Sequence, residues 1–357
     1  MARIAFLSAY SQISNRGAET FVYELSKRFR ARHQITIFQG GEKIANPRIR
    51  TYHVKAAIKP PTANTGLLPK LYLDWQSLKI LVFTLKSIPK ILAGKFDVII
   101  PINGGWQTLV IRILSKFTGS SVLICAHAGI GADDALNIFL RPDVFVALTA
   151  AQFKWAKELS TEIQIVLIPH GVDLALFNPK VKGRSIALKK PIVVCTAALV
   201  PYKRIDLSIK AVAKTKHLSF LLLGEGQLAS YLDALGKRLL GKRYLRLNPD
   251  YTQMQFYYRA ADIFTLPSKT EAFGIAYLEA MACNLPVVAT CDSSRQEIIG
   301  EAGILTDPEK IDKYAKDLEI ALKTNYHNIP YNQALKFSWN RIAKEYSLLI
   351  KNLKKNG

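Results

Sequence analysis

The chain reads as an α/β protein built from two Rossmann-like, doubly wound parallel-sheet domains. Three observations predict this. Short apolar, strand-like runs alternate with amphipathic, helix-like runs along the chain, the pattern that builds parallel sheets covered on both faces. The alternation starts afresh near residue 192, after a polar and basic linker over 180–190. The length of 357 residues suits two cores of ordinary size better than one, and at 49% apolar residues both can be filled.

Charge and cysteines narrow the functional class. The formal net charge is +22, which makes acidic partners the expectation: nucleic acid, anionic lipid or a polyanionic substrate. The charge is spread evenly, with 21 basic against 10 acidic residues in 1–170 and 28 against 17 in 171–357. No nucleic-acid module accompanies it, so a membrane surface is the best candidate. Cys125, Cys195, Cys283 and Cys291 stand singly without a CxxC pair. They read as reduced core residues of a cytoplasmic protein, not as a disulfide framework or a zinc site. The start, MARIAFLSAY, reads as a first strand and not as a signal peptide. No run approaches 18 uninterrupted apolar residues, so no transmembrane helix is expected.

In order, 3–9 is the first strand, 11–17 a glycine loop, and 18–29 a helix with Phe21, Val22, Leu25 and Phe29 inward. Strand, glycine loop and helix is how doubly wound folds begin, with ligands at the carboxyl ends of strands. No GxGxxG follows, which argues against a dinucleotide cofactor. Further strands are expected at 34–39 and 49–54, then a loop over 59–70 with three prolines, then a helix over 71–92. That helix mixes Leu, Ile, Phe and Trp75 with Lys79, Lys86 and Lys90. It is either an ordinary surface helix with an inward apolar stripe or a basic amphipathic segment lying on an anionic membrane. Strands at 97–102 and 121–126 follow. The second delivers His127 to the glycine-rich loop of CAHAGIGADD, at a strand's carboxyl end. A strand at 144–149, a helix at 151–159 and a strand at 165–168 close the first half, and the boundary falls near 170.

The second half opens with a strand over 192–199, after which Pro201 starts a helix with Leu207, Ile209 and Val212 inward. Lys203 and Arg204 sit at this strand–helix junction, where they can neutralise a diphosphate with help from the helix dipole. FLLLGEG (220–226) is a strand with a tight glycine turn, 244–247 is another, and 262–267 another. The stretch 270–290, TEAFGIAYLEAMACNLPVVAT, then reads as loop, helix, turn and strand. Gly274 opens the helix, and free backbone N–H groups plus a partial positive charge make its start a phosphate site. Glu279, five residues in, lies roughly 7.5 Å along the axis at about 1.5 Å per residue. That is the reach from a diphosphate to its ribose. Glu271 faces the other way. Two carboxylates astride a phosphate-binding helix start suggest a nucleotide-sugar site. Helical stretches at 309–322 and 332–353 end the chain.

Two glutamates separated by seven residues, with Phe273 and Gly274 among them, preceded by ADIFTLPSKT and followed by LPVVAT, resemble the donor site of retaining glycosyltransferases of family 4 (glycosyl transferases group 1), which have the GT-B fold. PHGVDLALFNP at 169–179 is similar to that family's interdomain hinge. The resemblance implies two domains facing a central cleft: 1–170 binds the acceptor, and 171–336 binds the donor. A last helix, 337–354, packs back on the first domain. The resemblance also implies roles. Lys203, Arg204, Gly274 and its neighbours Phe273 and Ile275 hold the diphosphate, and Glu279 holds the ribose. Tyr251 and Thr252 lie in the loop that holds the base, largely by backbone. Glu271 and His127 are the catalytic candidates, on the sugar. Gly17 approaches the phosphate or the acceptor; the family usually has two glycines there, and this chain keeps one, followed by Glu19. The family often adds an arginine on the preceding strand end, where Ala197 and Ala198 stand.

The resulting expectation is a metal-independent, retaining transfer of a hexose from a nucleoside-diphosphate sugar, UDP-glucose first, to a hydroxyl of a glycan or lipid-linked acceptor. No cofactor is expected, and no Asp-x-Asp occurs to bridge a metal. Peripheral contact with an anionic membrane fits the basic surface. Three alternatives remain open: a glycosidase using two carboxylates, an epimerase on the same fold, and a non-catalytic basic protein that binds polyanions or nucleic acid.

Overall fold

The computed structural model describes residues 1–14, 17–42, 46–58 and 72–353. The predicted proline loop 59–70, Arg16, and the ends of two predicted helices at residues 71 and 354 lie outside the described residues. The chain folds into two compact units, Met1–His170 with Trp339–Gly357, and Gly171–Ser338.

In the first unit the order is β1 (Arg3–Ser8), α1 (Gly17–Phe29), β2 (Gln34–Gln39), β3 (Arg50–His53), α2 (Trp75–Gly94) and β4 (Val98–Pro101). Then come α3 (Gly105–Thr118), β5 (Ser121–Cys125), α4 (Ala132–Phe139), β6 (Val144–Ala147), α5 (Ala150–Leu159) and β7 (Gln164–Leu167). The strands pair in parallel in the order β3-β2-β1-β4-β5-β6-β7, with Ile4 opposite Ile35 on one side and Val98 on the other. β1 is buried along nearly its whole length, as a strand covered on both faces must be.

The second unit repeats the scheme with β8 (Ile192–Thr196), α6 (Ile205–Lys214), β9 (Ser219–Leu223), α7 (Ala229–Leu240), β10 (Tyr244–Leu247) and α8 (Met254–Tyr258). It continues with β11 (Ile263–Leu266), α9 (Ile275–Ala282), β12 (Val287–Thr290), α10 (Ser293–Ile299), β13 (Gly303–Thr306), α11 (Ile311–Lys323) and α12 (Ile329–Leu335). Its sheet order is β10-β9-β8-β11-β12-β13, all parallel. In each sheet the strand order reverses once, at β1/β4 and at β8/β11. Doubly wound sheets open a crevice at that point, beyond the carboxyl ends of the strands.

The last element among the described residues is α13 (Trp339–Leu353), which belongs to the first unit. Trp339, Ile342, Tyr346, Leu349 and Ile350 are all buried there in one core with Phe21 and Ile4. The continuous stretch expected over 332–353 is therefore two helices. They part at 336–338, where Val172 N–H donates to the Phe337 carbonyl at 2.8 Å and Ser338 bridges Val172. Backbone pairing with a distant segment competes with the local helix, and periodicity carries no trace of it. The helix expected from 71 starts instead at Trp75, where the Asp74 carboxylate accepts from the N–H groups of Gln76 (2.9 Å) and Ser77 (3.3 Å). Helices α3, α4, α7, α8 and α10 are additional to the elements expected from the sequence. Cys125, Cys195 and Cys283 are buried as expected of core thiols, whereas Cys291, just past the end of β12, is exposed and not a core residue; all four are free thiols. Among the described residues no helix is long and apolar enough to cross a membrane.

Candidate functional site

The site takes shape at the β8/β11 switch of the second sheet. β8 runs into a 3₁₀ turn, Pro201–Lys203, and Arg204, with a left-handed φ of 49°, redirects the chain into α6. One strand over, β11 ends at Leu266 and residues 267–274 lead to α9. Gly274 stands at φ +90°, and a Cβ on it would lie 2.4 Å from the Tyr277 ring. Glycine is therefore required twice over, by conformation and by space. No side chain caps α9, so its first-turn N–H groups and the positive end of its dipole suit an anion. Behind this edge a second glycine fixes the backbone. A Cβ on Gly224 would sit 2.0 Å from the Ala197 carbonyl oxygen, so the β9 turn lies directly against the end of β8.

The two loops meet in an ion pair. Lys203 Nζ donates to Glu271 Oε1 at 2.6 Å, with the two side chains only 13% and 11% exposed. The same ammonium lies over the Tyr202 ring, 5.3 Å from its centroid. The proposed phosphate lysine and the proposed sugar carboxylate thus neutralise each other. Arg204 behaves differently. Its guanidinium donates to the Pro267 carbonyl (2.9 Å), the Glu309 carboxylate (2.8 Å) and the Thr290 hydroxyl (3.3 Å). It ties together the ends of β11 and β12.

Glu279 is buried on α9, where the Tyr258 hydroxyl donates to its Oε2 at 2.9 Å. Burial, and then the Glu279 charge, hold that phenol well above its ordinary pKa, so it stays a donor. Phe273 is buried edge-on to Phe337, ring centroids 6.0 Å apart, and Ile275 is buried beside it. Phe273 and Ile275 thus turn their side chains into the protein on either side of Gly274. Tyr251 and Thr252 form a 3₁₀ turn after β10, and Tyr251 packs edge-on against Phe177 at 5.7 Å.

Arg295 was missed in the sequence. It is almost completely buried, and it donates to the Ser268 carbonyl (2.8 Å) and the Tyr277 hydroxyl (3.0 Å) while pairing with Asp292. It thus fastens the loop that carries Glu271. In the sequence it is one arginine among many on a basic chain, and only its burial distinguishes it. Tyr258 and Tyr277 were missed for the same reason.

The remaining predicted residues lie in the first unit. Gly17 is the exposed first residue of α1. His127 follows β5, stacked on His170 with centroids 5.3 Å apart and planes 14° apart, and edge-on to Phe21 at 4.9 Å. Burial, and then the neighbouring His127, hold His170 neutral, with its pKa well below the ordinary value. Downstream of His127, the Asp134 carboxylate accepts from Ala128 N–H (3.1 Å), Gly129 N–H (2.9 Å) and the Asn137 amide (3.1 Å). Burial still raises its pKa to about 7. The structure therefore gathers Lys203, Arg204, Glu271 and the α9 start beyond the carboxyl ends of β8 and β11. Glu279 lies five residues further along α9, and His127 and Gly17 are in the other unit.

Comparison with known proteins gives consistent relatives. The family profile of glycosyl transferases group 1 matches residues 178–337. A GDP-mannose-dependent monoacylated alpha-(1-6)-phosphatidylinositol monomannoside mannosyltransferase of Corynebacterium glutamicum is 30% identical over 42% of this chain and 44% of its own length. A probable sucrose-phosphate synthase of Thermosipho melanesiensis is 31% identical over 52% of this chain and 47% of its own length. The matched stretches thus span about half the length of these curated relatives. Among solved structures, the sucrose-phosphate synthase from Thermosynechococcus elongatus superposes with a TM-score of 0.83 at 20% identity, covering 100% of both chains. Anabaena HepE in complex with UDP and glucose superposes at 0.76 and 17% identity, covering 99% of this chain and 100% of its own. These likenesses establish the GT-B fold.

Proposed function

From the premise that residues 178–337 belong to the glycosyl transferases group 1 family, on a GT-B chain, we propose that the protein is a retaining glycosyltransferase. It moves a hexose from a nucleoside-diphosphate sugar to a hydroxyl of a glycan or lipid-linked acceptor, in polysaccharide or glycoconjugate synthesis, without a metal. The observation that carries the reading is the Lys203–Glu271 pair beside the uncapped start of α9, at the sheet's switch point.

An arriving diphosphate exchanges with Glu271 for the Lys203 ammonium and takes the α9 N–H groups. Charge that develops on the leaving diphosphate is then stabilised by fixed dipoles and one cation. Glu271, released from Lys203, accepts from sugar hydroxyls or stabilises positive charge at the anomeric carbon. Glu279 accepts from the ribose hydroxyls, with Tyr258 holding it in place. The turn at Tyr251 and Thr252 takes the base, and Arg204 holds the loops in register. In the first unit, His127 orients the sugar and Gly17 leaves room for a close backbone approach.

UDP-glucose is the first donor tested, in keeping with the UDP and glucose in the HepE complex. GDP-mannose is second, because a relative named above is a GDP-mannose-dependent enzyme. Peripheral contact with an anionic membrane belongs to the same proposal and is supported by the net charge of +22.

A thermal-shift titration with UDP, GDP, ADP and their sugar conjugates tests the donor, on wild type and Glu279→Gln. The substitution keeps an acceptor for Tyr258 but removes the charge. One nucleotide is expected to stabilise the wild type by a few kcal/mol at saturation, with the shift reduced in the variant. If none of them shifts the transition while RNA or DNA binds with a steep salt dependence, the polyanion-binding alternative replaces this reading.

A further inference from the structure

The first unit presents a face that the donor site does not use. Neither α2 nor α3 contains an acidic residue, while between them they carry Lys79, Lys86, Lys90, Arg112 and Lys116. At 3.6 residues per turn, Trp75, Val82, Leu85 and Leu92 fall along one side of α2, and Lys79, Lys86 and Lys90 form a parallel stripe beside them. The apolar side chains point outward: Trp75 is 78% exposed, and Leu85 and Leu92 are 48% each. α2 faces inward with Phe83 and Ile91 instead. The neighbouring α3 adds Phe117, 82% exposed. Trp75, Val82, Lys79 and Lys86 also line a shallow groove with Lys55. Single exposed apolar residues are ordinary, but a run of them edged by one sign of charge is not. At about 1.5 Å per residue α2 is about 30 Å long, and its lysines exclude spanning.

We propose that this face of α2, extended by the end of α3, is where the protein docks on an anionic lipid surface. The helix lies in the interfacial plane. Trp75, Val82, Leu85 and Leu92 enter the headgroup–acyl boundary while Lys79, Lys86 and Lys90 pair with lipid phosphates. The absence of any acidic residue on either helix selects a continuous anionic surface. This inference rests on the membrane contact proposed above and narrows it to one face.

The test uses the whole chain, without nucleotide sugar, and vesicles of equal parts phosphatidylglycerol and phosphatidylcholine, with pure phosphatidylcholine as control. Wild type is expected to sediment with the anionic vesicles alone and to release as salt rises. Reversing Lys79, Lys86 and Lys90 to Glu is expected to weaken partitioning by about 100-fold or more, since each basic residue near such a surface contributes about 1 kcal/mol. An equal reversal on the second unit, at exposed Lys237, Arg238 and Lys242, is expected to change it by no more than about 5-fold, through long-range charge alone. Tryptophan emission is expected to shift blue on binding, and Trp75→Phe to abolish the shift. Equal losses in both charge reversals would overturn the face and leave membrane contact standing. No wild-type binding would overturn both. Binding with unchanged Trp75 emission would mean that the stripe does not enter the lipid boundary, and would also overturn the proposal.

Discussion

Lys203 and Glu271 are mutually neutralised and nearly buried, so each is costly without the other. Removing one partner strands a charge in a poorly solvated place, which costs about 3–5 kcal/mol when burial is complete. For a pair that keeps slight exposure the expectation is about 2–3 kcal/mol for Lys203→Met or Glu271→Gln alone, with part of it regained in the double variant. Urea unfolding of the four proteins measures the coupling, and strict additivity would show that the pair is not energetically joined. Asp134 supplies a pH signature. Its folded pKa of about 7 is above its ordinary value of 3.8, so the folded state holds the proton more tightly than the unfolded one. Its contribution is fully present below about pH 4, declines as pH rises, and is lost above about 7. The stability difference between wild type and Asp134→Asn is expected to slope across that window and flatten above it, whatever its constant offset.

Among the elements, α9 carries the site. Eight residues long, with seven of them buried, it is held by packing on nearly every side, so its start is fixed in place before a ligand arrives. Gly274→Ala would need φ +90° and a methyl group 2.4 Å from the Tyr277 ring. It is expected to cost at least about 1–3 kcal/mol and to weaken nucleotide binding more than Thr252→Ala does, since it moves the helix start itself. Calorimetric titration of both variants checks the order, and a Gly274→Ala variant that binds as wild type would remove the α9 start from the site. The element scale is also where local reading fails. Periodicity joins two helices into one over 332–353, because the Phe337–Val172 pairing that parts them spans most of the second unit's sequence.

For the molecule as a whole, the sequence by itself determined the α/β class, the two alternating units, the restart at 192, nearly every strand, and the loop–helix–strand around Gly274. Each rests on local apolar periodicity, on glycine and proline, and on a helix start, all properties of neighbours in the chain. It also marked Lys203, Arg204, Glu271 and Glu279 by residue type and spacing. Only the tertiary structure decided which of these meet. It paired Lys203 with Glu271 from 68 positions away, turned Arg204 into a tie between strand ends, and placed Tyr258 against Glu279. It buried Arg295 behind the loop and turned Trp75 outward while Trp339 went into the first unit's core. Burial and long-range pairing are properties of which surfaces meet. A chain whose tryptophans and arginines all look alike in one dimension settles those choices only when each sheet is covered by its own helices.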